Sequence, residues 1–227
     1  MQKNDSVIVS EEKIECFQKK ILHWFTYNGR YFPWRKKSVT NYELIISEVL
    51  LQRTKAETVS KYLPLFLKKY SSWNKLGEAT EQELQEIIKP LGLYKQKGLR
   101  LFKLAKELKS KKGRFPKERS QVEKIPMMGQ YITNAYELYI LKKKVPLLDV
   151  NMARLLERYF EPRKLADIRY DSFLQSLAHR VVNHEKSKEI NWAILDFAAK
   201  VCKAKKPSCD NCMFINNCNF RKKFRFF

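Results

Sequence analysis

Four of the five cysteines lie in the last 26 residues, at Cys202, Cys209, Cys212 and Cys218, in the pattern C-x6-C-x2-C-x5-C. Thiolates converging on one point bind soft metals, so the candidates are zinc or an iron–sulfur cluster. The x2 pair fits either. The longer x6 and x5 arms fit a bulky [4Fe–4S] cube better than the two short knuckles usual for zinc. A disulfide pairing would need an oxidising compartment, and no secretory signal points to one. Cys16 lies in an amphipathic helical pattern and reads as a small buried residue.

Two carboxylates stand out. Asp149 follows the apolar pair Leu147-Leu148 and precedes a helical pattern over 150–160. It reads either as a helix N-cap or as a half-desolvated carboxylate able to stabilise a sugar cation or activate water. Glu48 borders Ile45 and Val49 and is four residues from Gln52, which predicts one shared helical face. It reads either as a solvated salt-bridging residue or as a carboxylate with a raised pKa. The segment Val122 to Leu141 reads as helix, tight turn, helix, with Pro126 ending the first helix and Gly129 letting the backbone turn. A helix starting there exposes free N–H groups, which suit a phosphate. An ordinary connection between core helices reads equally well. His23, His179 and His184 show no ligand spacing.

The elements that must position these groups are helical. Gly is scarce at 6, no run alternates at period 2, and apolar residues recur at helical spacing from Ile14 to Cys202. Nine or ten helices and an all-α fold are expected. Lys plus Arg is 46 against 24 acidic residues, a net charge of +22, which points to a polyanion partner, nucleic acid first and an anionic membrane surface as its rival, or else to lysines that serve only solubility. No apolar run is of membrane-spanning length, and the N-terminus has no apolar signal core.

The combination Ile125-Pro126-x-x-Gly129-x-Tyr131, Leu148-Asp149-Val150-Asn151 and the cysteine tail resembles the endonuclease III group of helix–hairpin–helix DNA glycosylases. Phe32-Pro33-Trp34-Arg35, Ser47-Glu48-Val49-Leu50-Leu51-Gln52-Arg53-Thr54, Gly92-Leu93-Tyr94 and Leu195-Asp196-Phe197 extend the resemblance over roughly residues 15 to 220. It implies a two-domain fold. A six-helix barrel at 37–143 would carry the helix–hairpin–helix at about 122–141. Residues 1–36 and 144–227 would form an iron–sulfur cluster domain. Double-stranded DNA containing a mismatched or damaged base would bind across the cleft, with the nucleotide flipped out.

The same resemblance assigns roles. Asp149 would be the catalytic carboxylate, and Cys202, Cys209, Cys212 and Cys218 would hold a [4Fe–4S] cluster. Gln52 would fill the gap left by the flipped base. Arg53, Tyr94, Met128, Gly129, Gln130, Lys205 and Lys206 are expected at the DNA. Residue 131 separates subfamilies: Lys in the endonuclease III type, Ser in the adenine-removing MutY type, and Tyr131 here. Tyr resembles the thymine glycosylases acting on T·G mismatches and brings no amine, so the reaction should stop at base removal. Glu48 and Tyr131 would line the base pocket.

Two departures matter. Met127 replaces the first Gly of the usual hairpin and is expected to resist a positive φ. Glu48 is the acid of MutY-type enzymes, which keeps adenine removal as the alternative. The chain stops nine residues after Cys218, so the extra MutY domain is expected to be absent. A non-catalytic iron–sulfur DNA-binding protein is the second alternative. A monomer in the cytoplasm of a prokaryote, associated with the nucleoid, is expected.

Overall fold

A computed structural model describes residues 9–162 and 167–223, and every regular element among them is helical. The helices separate into two compact units, one from Met1–Arg30 and Lys142–Phe227, the other from Tyr31–Leu141.

The central unit holds α2 (Asn41–Leu51), α3 (Ala56–Lys69), α4 (Trp73–Glu78), α5 (Glu81–Ile88), α6 (Tyr94–Ser110), α7 (Arg119–Val122) and α8 (Gln130–Tyr139). Helices α2 and α5 begin with reciprocal capping boxes, Thr40 with Glu43 and Thr80 with Glu83. Each box satisfies two donors that the first turn leaves without helical partners. Ile45, Ile46 and Leu50 of α2 pack with Leu63, Leu76, Leu104 and Ile132 in one buried cluster. The packed face of α2 fixes where Glu48 points.

The unit formed by the two chain ends holds α1 (Glu11–Asn28), α9 (Val150–Phe160), α10 (Ser172–Val182), α11 (Ser187–Lys200) and α12 (Asn219–Lys223). An aromatic cluster sits within its largely aliphatic core. Phe17 stacks on Phe214 with ring centroids 4.9 Å apart, and Tyr159 and Phe160 close round the same pair. Phe214 lies between Cys212 and Cys218, so burying it anchors the cysteine tail on α1 and α9. Buried Asp196 accepts from the Arg30 backbone N–H and Nε, both at 2.7 Å, which ties the end of α1 to α11.

Among the described residues nine longer helices follow the apolar stripes. The short α4 and α12 are additional. The first helix of the hairpin is the single turn α7, which ends at Val122, ahead of Pro126.

Candidate active site

Asp149 is placed by its neighbours. Leu147 is buried, and its N–H donates to Asn191 Oδ1 at 2.6 Å, while Asn191 Nδ2 donates to the Val145 and Ser187 carbonyls. Asn191 thereby fixes the extended segment that delivers Asp149 to the start of α9. Asp149 is the N-cap of α9: Oδ1 accepts from the N–H of Asn151 at 2.9 Å and of Met152 at 2.8 Å. Oδ2 accepts from Asn151 Nδ2 at 2.6 Å. Burial pushes this carboxyl above the usual range, and the Met152 and Asn151 bonds with Arg154 pull the other way. Cap and desolvated carboxylate are therefore one residue.

A chain of hydrogen bonds runs on from Asp149. Asn151 Oδ1 accepts from Arg154 Nη2 at 3.1 Å. Arg154 Nε donates to the Cys202 carbonyl at 2.9 Å, and its Nη2 also reaches the Ala198 carbonyl. One turn on, Arg158 donates to the Lys203 and Ala204 carbonyls and approaches Cys202 Sγ at 3.5 Å. Two arginines of α9 thus grip the loop after the first cysteine. Lys205 and Lys206 are exposed on that loop, and Lys206 has φ 49°.

The four tail cysteines are unpaired by disulfides and partly exposed. Burial pushes the Cys212 thiol up to about 11, with the charges of Cys218, Cys202 and Cys209 adding to it, so the four sulfurs share one electrostatic neighbourhood. Among the described residues no three His, Cys, Asp or Glu close round a single ion. The donor set is all sulfur.

In the central unit, Glu48 is buried and Oε1 accepts from the Tyr139 hydroxyl at 3.0 Å. The solvated reading of Glu48 is thereby corrected. So is its shared face with Gln52: α2 stops at Leu51, and Gln52 is the C-cap, with ψ 113°. Gln52 and exposed Arg53, at φ 55°, lead the chain into a turn instead. Thr54 fastens that turn by donating to the Leu91 carbonyl at 3.0 Å. The turn therefore lies beside the loop of Gly92 (φ 73°) and Leu93 (φ 51°), where Leu93 is 52% exposed. Tyr94 is half-buried and packs on the core.

The hairpin differs from its sequence reading in two respects. Met127, not Gly129, takes the turn, with φ 68°; Gly129 sits at φ −70°. The expected resistance of Met127 to positive φ is overridden by its packing against the core. Met128 is also corrected: its side chain is 1% exposed and its N–H is spent on the Ile125 carbonyl at 3.0 Å. The N–H groups of Gly129 and Gln130 meet no acceptor among the described residues and open α8. A Cβ built on Gly129 meets nothing within 4 Å, so no side chain crowds this residue. Tyr131 follows in the first turn of α8, half-buried, while Glu48 meets the other end of that helix through Tyr139. Asn191, Lys97, Tyr139 and Arg154 are the residues that sequence reasoning missed. Only Tyr139 carried a signal, since a tyrosine in a buried phase needs a partner for its hydroxyl.

The family model for "HhH-GPD superfamily base excision DNA repair protein" matches residues 46–181. The chain belongs to this superfamily. The matched HhH-GPD span takes in Glu48, the 125–131 turn and Asp149. Among relatives, the thymine-DNA glycosylase of Aeropyrum pernix is 31% identical over 93% of this chain and 99% of its own length. The thymine/uracil-DNA glycosylase of Pyrobaculum aerophilum is 34% identical over 91% of this chain and 92% of its own. An adenine DNA glycosylase of Arabidopsis thaliana is 26% identical, over 38% of its own length. The solved structure of a thermostable thymine-DNA glycosylase superposes with TM-score 0.85 at 30% identity, over 93% of this chain and 98% of that one. The HhH-GPD fold of this chain is all-α, and no helix among the described residues is long and apolar enough to cross a membrane.

Proposed function

We propose that this chain is a monofunctional DNA glycosylase of base excision repair. It hydrolyses the N-glycosidic bond of thymine or uracil mispaired with guanine in double-stranded DNA, working as a monomer. The observation that carries the reading is Asp149, a half-buried carboxylate held by the N–H groups of a helix start. The substrate class is supported by likeness over nearly the full length to thymine and thymine/uracil glycosylases.

In this reading the C1′–N bond breaks with its electron pair leaving on the base. The sugar becomes oxocarbenium-like, and Asp149 stabilises that charge. Water then adds to C1′ and gives its proton to the carboxylate. Tyr131 takes the position of an amine nucleophile and cannot form a Schiff base, so strand cleavage does not follow. The free N–H groups of Gly129 and Gln130 would hold a backbone phosphate at the start of α8. Gln52, Arg53 and exposed Leu93 would enter the duplex where the flipped base leaves. The unit at 31–141 would be the barrel and the other the cluster domain.

Cys202, Cys209, Cys212 and Cys218 would be the ligands of a [4Fe–4S] cluster, a reading supported by their all-sulfur donor set and by Arg158, which lies 3.5 Å from Cys202 Sγ and would face its negative charge. Bound there, it would cross-link the tail and fix the Lys205–Lys206 loop against phosphate. Purified protein should be brown, with about four irons per chain. Colourless protein with one zinc would contradict the cluster.

A second reading, adenine removal, rests on buried Glu48, an acid able to protonate a purine. Duplexes carrying T·G, U·G, A·G and A·oxidised-G pairs separate the two. Release of T and U opposite G supports the proposal. Release of adenine alone overturns it.

A further inference from the structure

Lys97 belongs to the first turn of α6, yet its side chain points inward and is 5% exposed. Its ammonium donates to the Leu50 carbonyl at 3.2 Å and to Thr54 Oγ1 at 2.7 Å. Both acceptors are neutral, and among the described residues no carboxylate pairs with the charge. Burial alone pushes this lysine down to about 8. A buried uncompensated ammonium lowers fold stability, and an apolar replacement of similar length is usually tolerated.

The two bonds have a common effect. Leu50 lies in the last turn of α2, where carbonyls lack helical partners and the helix dipole favours a cation. Thr54 closes the turn that carries Gln52 and Arg53. Its hydroxyl accepts from Lys97 and donates to the Leu91 carbonyl at 3.0 Å. One ammonium and one hydroxyl therefore join the end of α2, the 52–54 turn and the 91–93 loop. Those loops hold two non-glycine residues at positive φ, Arg53 and Leu93, with Gly92 in the same region at no steric cost. Backbone in that region persists only where its surroundings impose it.

We propose that Lys97 is a positioning residue that locks the 52–54 turn and the 91–93 loop in register for parting the target base from its partner. The inference rests on the reading that these two loops enter the duplex. It assigns Lys97 no contact with substrate.

The test is Lys97→Met in the full chain with its metal centre, beside Thr54→Val, which removes the other half of the tie. Base release is measured under single turnover from two duplexes: uracil opposite guanine, and uracil opposite an abasic site, where no partner base has to be held off. Lys97→Met should keep or raise the thermal midpoint and slow release from U·G about tenfold. Most of that loss should vanish on the abasic partner. The double variant should be no slower than the worse single. Wild-type rates on U·G would overturn the proposal, and so would an equal loss on both duplexes or a large fall in the midpoint of both single variants. Gln52→Ala and Leu93→Ala in the same assay separate the two levels. If both release uracil at wild-type rate, the loops do not enter DNA and the underlying reading fails. If both are slow while Lys97→Met is not, only the role of Lys97 fails.

Discussion

Replacing Asp149 by Asn isolates charge from capping. The Asn side-chain oxygen can still accept from the N–H groups of Asn151 and Met152, so the start of α9 keeps its cap at a cost near zero. The second oxygen becomes an amide NH2 facing Asn151 Nδ2, now 2.6 Å away, and that bond is lost unless the Asn151 amide turns over. A lost neutral bond costs about 1 kcal/mol. The opposing term is the removed charge. Burial raises the Asp149 pKa in the fold, so the folded state holds its proton more tightly than the unfolded chain. The carboxyl therefore favours folding most at low pH, and that contribution is lost as pH rises through the raised folded pKa. At neutral pH the ionised carboxyl is a cost that Asn removes. The midpoint of Asp149→Asn relative to wild type should accordingly improve from acid to neutral pH. Catalysis should move the other way: base release should fall at least about a hundredfold, a barrier of roughly 3 kcal/mol, with mismatch binding retained. Single-turnover release from a T·G duplex and melting at several pH values measure both. Release at near wild-type rate would reduce Asp149 to a cap. A relative midpoint that worsens toward neutral pH would refute the desolvation argument.

Met127→Gly removes a side chain from positive φ and should gain about 1 kcal/mol in denaturant unfolding, less whatever its packing contributes; a loss would mean that packing outweighs strain. Tyr131→Lys should give a protein–DNA adduct trapped by borohydride, and a variant that still releases base without one would show that residue 131 does not face the sugar. Changing Lys205 and Lys206 together to Ala should flatten the log–log salt dependence of DNA binding by up to about two units; an unchanged slope leaves them as solvated lysines.

Much of this architecture is legible in the chain, because long amphipathic helices write their period into it. Helices α4 and α12 are not, since six and five residues span too few turns for a period to register. Asp149 could be found because an acid after two apolar residues and before a helical run has few roles. Gln52 was misplaced because nothing local marks where α2 unwinds. The hairpin was misread because φ at a non-glycine residue depends on what packs around it: the core holds Met127 at 68° and leaves Gly129 in an ordinary conformation. Lys97, Tyr139 and Asn191 act through partners 47, 91 and 44 residues away, distances at which sequence spacing is silent.

The central claim is hydrolysis of a mispaired pyrimidine without strand cleavage. Its most direct measurement is a single-turnover time course on a 5′-labelled T·G duplex, each point split and run with and without hot alkali. The account predicts product strand only after alkali, at a rate that Asp149→Asn lowers at least about a hundredfold, and an intact strand otherwise. Cleaved strand accumulating at the same rate without alkali would contradict it.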